Sequence, residues 1–197
     1  MKKLILTFLT ILFCLTSNVT WSADFQKGLA AAERGDFATA LREWTPLAKQ
    51  GNADAQIFLG GMYAKGRGVP QDYKSAIKWY TLAAEQGAAK IQALVGTIYL
   101  DGKWFPPNYE TAAKWLTRAA EQGNATGQIY LGILYGQGQG VMKDLVYAYM
   151  WLSIAATSKE RGSKRALDFA VKHMTPSQIE KAQKLARECV RKKYKGC

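Results

Sequence analysis

The stretch Ala83-Ala84-Glu85-Gln86-Gly87 returns unchanged as Ala119-Ala120-Glu121-Gln122-Gly123, 36 positions later, and Gly51, Gly87 and Gly123 keep the same spacing. A fixed period of this length marks a repeat architecture, in which each unit buries its apolar face against the next. Three units align without a gap, 52–87, 88–123 and 124–159. Leu59-Gly60 falls on Val95-Gly96 and Leu131-Gly132, Tyr63 on Tyr99 and Tyr135, Gly66 on Gly102 and Gly138, Ala76 on Ala112 and Ala148, and Trp79 on Trp115 and Trp151.

Each unit reads as a helical pair. From Ala53 to Ala64 there is no proline, and Ala55, Leu59 and Tyr63 fall on one face at four-residue steps. Asn52 is placed to cap the start of this helix and Gly66 to end it. After the loop Lys65 to Gln71, Asp72 stands where an N-cap belongs, and Ala76, Ile77, Tyr80, Ala83 and Ala84 make the stripe of a second helix ending at Gly87. Asn108 and Asp144 repeat that cap. Gly60, Gly96 and Gly132 share a mid-helix column although glycine there costs roughly 1 kcal/mol relative to alanine. Their missing Cβ atoms are expected to admit the second helix, with the alanine pairs 83-84, 119-120 and 155-156 doing the same from the other side. The Tyr63 and Trp79 columns are expected to fill the core.

Ahead of the array, Phe25 to Arg34 and Phe37 to Gln50 form a further pair across the short turn Gly35-Asp36. Behind it, Glu160 to His173 reads as a helix, and Thr175-Pro176-Ser177-Gln178 opens the last one with a capping box and a first-turn proline. The expected fold is all-α, a right-handed α-solenoid of ten helices stacked as antiparallel pairs. The expected segments are a signal peptide over 1–23, an N-terminal pair over 24–51, the three repeats, and basic capping helices over 160–197.

The signal peptide is read from Lys2 and Lys3, the apolar run Leu4 to Leu15, and the polar stretch ending at Ser22-Ala23. That run is too short for a spanning helix, which needs about 20 apolar residues. Cys14 follows bulky Phe13, not the small residue that a lipid-anchor signal requires. The expected destination is the bacterial periplasm or the exterior, both oxidising. Cys189 and Cys197 then remain and are expected to pair; two unpaired thiols are the alternative. No metal or cofactor site is expected, because two thiolates with no nearby histidine do not complete tetrahedral zinc.

Residues 24–158 carry a net charge of +2 and residues 159–197 a net charge of +8. Such a basic segment suits an acidic protein, lipid headgroups or a glycan, or simply keeps the array in solution; the export signal argues against nucleic acid.

The columns resemble the Sel1-like repeat, a relative of the tetratricopeptide repeat with Ala-x-Ala, Leu-Gly-x-x-Tyr, Gly-x-Gly-Val, Trp-Tyr and Ala-Ala-Glu-x-Gly elements. Residues 52–87 match almost throughout, and Gly28 to Gly51 is similar to a tetratricopeptide-type unit. Unit two departs where Gly102-Lys103-Trp104-Phe105-Pro106-Pro107 replaces the Gly-x-Gly-Val loop, which marks Trp104 and Phe105 as candidate contacts, and unit three has Met142 where unit one has Pro70. The resemblance implies an adaptor that holds a protein or peptide partner in the cell envelope. Some disulfide-rich members are linked to β-lactam chemistry, but this chain lacks their cysteine pair in each repeat.

An enzyme is the rival reading. Ser75-Ala76-Ile77-Lys78 fits the Ser-x-x-Lys arrangement of serine β-lactamases. Unit two has Thr111-Ala112-Ala113-Lys114 at the same positions, so the spacing follows from helix amphipathicity, and no Ser-Asp-Asn or Lys-Thr-Gly accompanies it. His173, the single histidine, is expected at a helix C-terminus. The reading is therefore non-enzymatic. Variation among the units isolates a stripe on the first helices: Asp54, Lys90 and Thr126; Ile57, Ala93 and Ile129; Gly61, Thr97 and Ile133; Ala64, Leu100 and Gly136. From it Asp54, Ile57, Lys90, Thr97, Thr126 and Ile133 are the candidate partner contacts, on what would be the concave face.

Overall fold

A computed structural model describes residues 23–158 and 162–197. The expected leader, apart from Ala23, and the expected helix start at Glu160 lie outside the described residues. Ten helices, and no strand, occur among those described: α1 (23–33), α2 (Phe37–Lys49), α3 (Ala53–Lys65), α4 (Tyr73–Glu85), α5 (Ala89–Asp101), α6 (Tyr109–Ala120), α7 (Ala125–Gln137), α8 (Leu145–Ala156), α9 (Ser163–Val171) and α10 (Pro176–Arg191). The fold is all-α, of the helical-repeat solenoid class. The chain divides into two compact units at Ala83 and Ala84.

Local chemistry starts and stops these helices where the sequence places the signals. Asn52 Oδ1 accepts from Ala55 N at 2.8 Å, Asn108 Oδ1 from Thr111 N at 2.9 Å, and Asp144 Oδ1 from Val146 N at 2.8 Å. Gly66 ends α3 in the left-handed conformation. The Thr175 and Gln178 capping box is present, with Thr175 N donating to Gln178 Oε1 at 2.9 Å. Each pair is closed by its second cap residue: Asp72 N donates to Tyr63 O, Asn108 N to Tyr99 O and Asp144 N to Tyr135 O.

One cap is missing. Ala88 has the extended backbone of Asn52 and Asn124 but no side-chain acceptor for the orphan amides of α5. Ala88→Asn should therefore stabilise the protein by about 1 kcal/mol. A urea midpoint that stays put or falls would refute this.

In the second unit, Gly132 faces Leu152 and Gly136 faces Ala148, so α7 and α8 run antiparallel. A Cβ built on Gly132 would sit 2.7 Å from Leu152 Cγ, and one on Gly96 would sit 2.7 Å from Leu116 Cγ. In the first unit, a Cβ on Gly60 would lie 2.8 Å from the Tyr80 ring. Carbon atoms prefer about 3.5–4.0 Å, so the glycine column is what admits the second helix. Its partners are the column Tyr80, Leu116 and Leu152, not the alanine pairs. In the second unit the pair Ala119-Ala120 instead faces the following helix, where a Cβ on Gly127 would meet Ala119 Cβ at 2.8 Å.

A buried glutamine column ties consecutive helices together, and the sequence reading passed over it. Gln56 Nε2 donates to Ala48 O at 3.0 Å, Gln92 Nε2 to Ala84 O at 3.1 Å and Gln128 Nε2 to Ala120 O at 3.3 Å. Each adds a side-chain donor to a carbonyl in the last turn of the preceding helix that also accepts a turn amide, from Gly51, Gly87 or Gly123 N. The signal was the identity of the residue at a 36-residue spacing.

The first core gathers Trp44, Leu47, Leu59 and Met62, with Trp44 Nε1 donating to Phe25 O at 3.2 Å. The second gathers Leu116, Leu131, Leu134, Met150, Trp151 and Cys189. Of the tryptophan column, Trp115 and Trp151 are buried and Trp79 is half-buried; Tyr63, Tyr99 and Tyr135 are all half-buried. Helix α8 is enclosed on two sides, because α9 packs on it through Ala170 and α10 through Cys189. Where α6 exposes Glu110, Lys114 and Arg118, the equivalent α8 positions are the buried Val146, Met150 and Ile154. Cys189 and Cys197 are paired.

Candidate functional site

The stripe read from the sequence stays accessible at every position put forward as a contact. Asp54 and Lys90 are exposed, and Ile57, Thr97, Thr126 and Ile133 are half-buried, whereas Ala93 and Ile129 are buried. Side chains four apart lie along one helix face, so Ile57 and Gly61 form one surface on α3.

In the first unit that surface opens into a groove of about 380 Å³, walled by Leu29 and Phe37 and bordered by Glu33, Lys65 and Arg67. Phe58 is 39% exposed beside it, its ring 4.7 Å from Trp44 and 5.6 Å from Phe25. The Arg67 guanidinium lies 5.6 Å from the centre of the Phe37 ring. Burial pushes the Tyr80 phenol above its ordinary pKa. The site is aromatic at its centre and charged at its edge, which suits an apolar side chain on a polar backbone.

In the second unit Ile133 and Gly136 line a groove of about 310 Å³ between α7, α8 and α9, with Leu145, Leu152, Ala166 and Phe169. Phe169 is 66% exposed, an apolar ring held open to solvent. Of the contacts read from the sequence, Ile57 lines the first groove and Ile133 the second. Asp54, Lys90, Thr97 and Thr126 line neither, and Thr97 Oγ1 donates to Leu94 O at 2.8 Å. Trp104 and Phe105 are half-buried on the α5–α6 loop.

Two contributors escaped the sequence reading. Phe58 belongs to a column that reads Phe58, Leu94, Tyr130, large and apolar in every repeat, yet 39% exposed at Phe58 and 37% at Leu94. That persistence was a usable signal. Phe169 lies outside the repeats, and no periodic column points to it.

The serine–lysine reading meets a competing partner. Ser75 Oγ donates to Asp72 Oδ2 at 2.6 Å, and this bond holds the Asp72 carboxyl below its usual pKa. The hydroxyl is thus committed to the start of α4, while Lys78 is exposed. His173 Nδ1 sits 2.9 Å from Phe169 O at the end of α9, where the sequence placed it. No group of acidic, histidine or cysteine side chains among the described residues could hold a metal ion. Among the same residues no helix is long and apolar enough to cross a membrane.

A profile of the Sel1 repeat matches residues 53–87, 89–124 and 125–159. A Sel1 repeat protein from Oxalobacter formigenes is 34% identical over 75% of this chain and 44% of its own, with a TM-score of 0.65. A protective antigen of uropathogenic Escherichia coli with an SLR fold is 29% identical over 88% of this chain and 47% of its own, with a TM-score of 0.49. The cysteine rich protein B of Helicobacter pylori is 15% identical over 66% of this chain and 93% of its own, also with a TM-score of 0.49. The chain therefore spans less than half the length of the first two. Comparison with curated proteins finds no match.

Proposed function

The chain belongs to the Sel1 repeat family, and from that premise we propose that it is a non-enzymatic interaction module of the bacterial cell envelope, binding a protein or peptide partner on the first-helix side of its repeats. The observation that carries the reading is the coincidence of two independent features. The columns that vary between repeats supply Ile57 and Ile133, and both residues line apolar grooves beside exposed phenylalanines, Phe58 and Phe169. A surface that reads a partner can differ from repeat to repeat wherever packing leaves the side chain accessible. Asp54 in the first unit, and Lys90, Thr97 and Thr126 in the second, are proposed as polar contacts, with Trp104 and Phe105 as further contacts on the α5–α6 loop of the second unit.

Export is part of the proposal. The leader read over residues 1–23 supports it, as does the Cys189–Cys197 pair, because disulfides persist in oxidising compartments. No observation favours the enzymatic alternative over this one.

Photo-crosslinking in cells tests the reading, with the reactive group placed at Ile57, at Ile133 or at Lys114 on the outer face of α6. A partner captured from the first two positions and not from the third is expected. Phe58→Asp and Ile133→Asp should each weaken that capture at least tenfold, about 1.4 kcal/mol. Equal capture from Lys114, or capture indifferent to both variants in folded protein, would sink the groove assignment.

A further inference from the structure

Helix α10 and the tail behind it carry Lys181, Lys184, Arg187, Arg191, Lys192, Lys193 and Lys195, all exposed, against only Glu180 and Glu188. The salt bridges among the described residues involve Lys27, Arg42 and Lys103 with their carboxylates, so none of these seven cations is paired. Beside two of them the packing leaves a recess. Helices α8 and α10 run the same way, since Tyr149 meets Gln183 and Ile154 lies near Ala186 and Val190. Between their C-terminal ends lies a groove of about 480 Å³ with Ile154, Ala186 and Val190 in its lining and Arg187 and Arg191 beside them. Val190 is 49% exposed.

Charge decides what such a groove accepts. Two helix C-termini meet here, each worth about half a negative charge. Those partial charges, with Glu188, do not balance Arg187, Arg191, Lys192, Lys193 and Lys195. The two arginines are four apart, so their stems lie roughly 5–6 Å from each other on one helix face. Each guanidinium fork matches a carboxylate in two parallel hydrogen bonds. A membrane surface fits less well, because α10 projects a single exposed aliphatic residue among its charges and the apolar area is concave.

We propose that the groove between α8 and α10 docks an acidic peptide segment, with an apolar side chain on Ile154, Ala186 and Val190 and flanking carboxylates on Arg187 and Arg191. This surface is separate from the grooves of the first-helix side and stands or falls without them.

Fluorescence anisotropy with the labelled peptide Glu-Leu-Glu-Leu-Glu and its counterpart Gln-Leu-Gln-Leu-Gln tests the assignment. The acidic peptide should bind at least tenfold more tightly and lose affinity as salt is raised. Arg187→Ala with Arg191→Ala should weaken it at least tenfold, and Val190→Gln should weaken it several-fold. Lys181→Ala with Lys184→Ala removes the same charge from the same helix and should change it less than twofold. All these side chains are exposed, so folding is expected to survive and circular dichroism checks it. Equal losses in the arginine and lysine pairs would reduce the effect to general electrostatics and overturn the site. Tighter binding to phosphatidylglycerol vesicles than to the peptide, or occupation of the face by a second copy of the chain, would overturn it too.

Discussion

Gly140→Ala should destabilise the protein by about 2–5 kcal/mol, and Gly136→Ala, four residues earlier, should stabilise it by up to about 1 kcal/mol. Gly140 lies in the α7–α8 loop with φ of +68°, and its Cβ would fall inside the carbonyl group of Tyr109 at the start of α6. The left-handed conformation costs an ordinary residue roughly 1–2 kcal/mol. Overlap with backbone, which cannot swing aside as a side chain can, adds about 1–3 kcal/mol. At Gly136 the new Cβ meets Ala148 Cβ at 3.7 Å, ordinary contact, and the substitution removes the helical penalty of glycine. Urea denaturation of both variants checks the pair; similar midpoints would show that the loop does not rest on α6 as described. Gly68 makes the equivalent approach in the first unit, where its Cβ would lie 2.6 Å from Phe37 Cβ. The same column in the middle repeat is Trp104.

Cys197→Ser, or reduction of the native protein, should cost about 2 kcal/mol. Closing a loop of this length is worth roughly 2.5 kcal/mol through the unfolded chain. Lys193 and Tyr194 in the closed tail are left-handed, at φ of 51° and 68°. Tyr194 N donates to Cys189 O at 2.9 Å, and a Cβ on Gly123 would lie 2.9 Å from the tyrosine ring, so the tail is seated against the repeats. Cys197→Ser is the cleaner change because it leaves buried Cys189 in its core. The urea midpoint should fall and the Tyr194 amide should lose protection from hydrogen exchange. An unchanged midpoint with the amide still protected would show that the tail holds without the covalent link.

What could be read from the sequence follows the range of the interaction responsible. The period, the helix starts at Asn52, Asn108, Asp144 and Thr175, and the stop at Gly66 were all legible, because a cap is a hydrogen bond reaching two or three residues along the chain. The mid-helix glycines were legible as places of close approach, but their partners in the Leu116 and Leu152 column were not. Those partners lie 20 residues on, and several small residues could have filled the same role. The exchange of Glu110, Lys114 and Arg118 for Val146, Met150 and Ile154 was a usable signal of a covered outer face on the last repeat, and the sequence reading passed over it. The sequence did not say that α10 covers the Met150 and Ile154 side while α9 takes Leu152 and Ala155. Helical periodicity determines which face is apolar; tertiary packing decides which neighbour meets it, and where the neighbours fail to close, as between α8 and α10 and beside Phe58 and Phe169, it leaves the grooves.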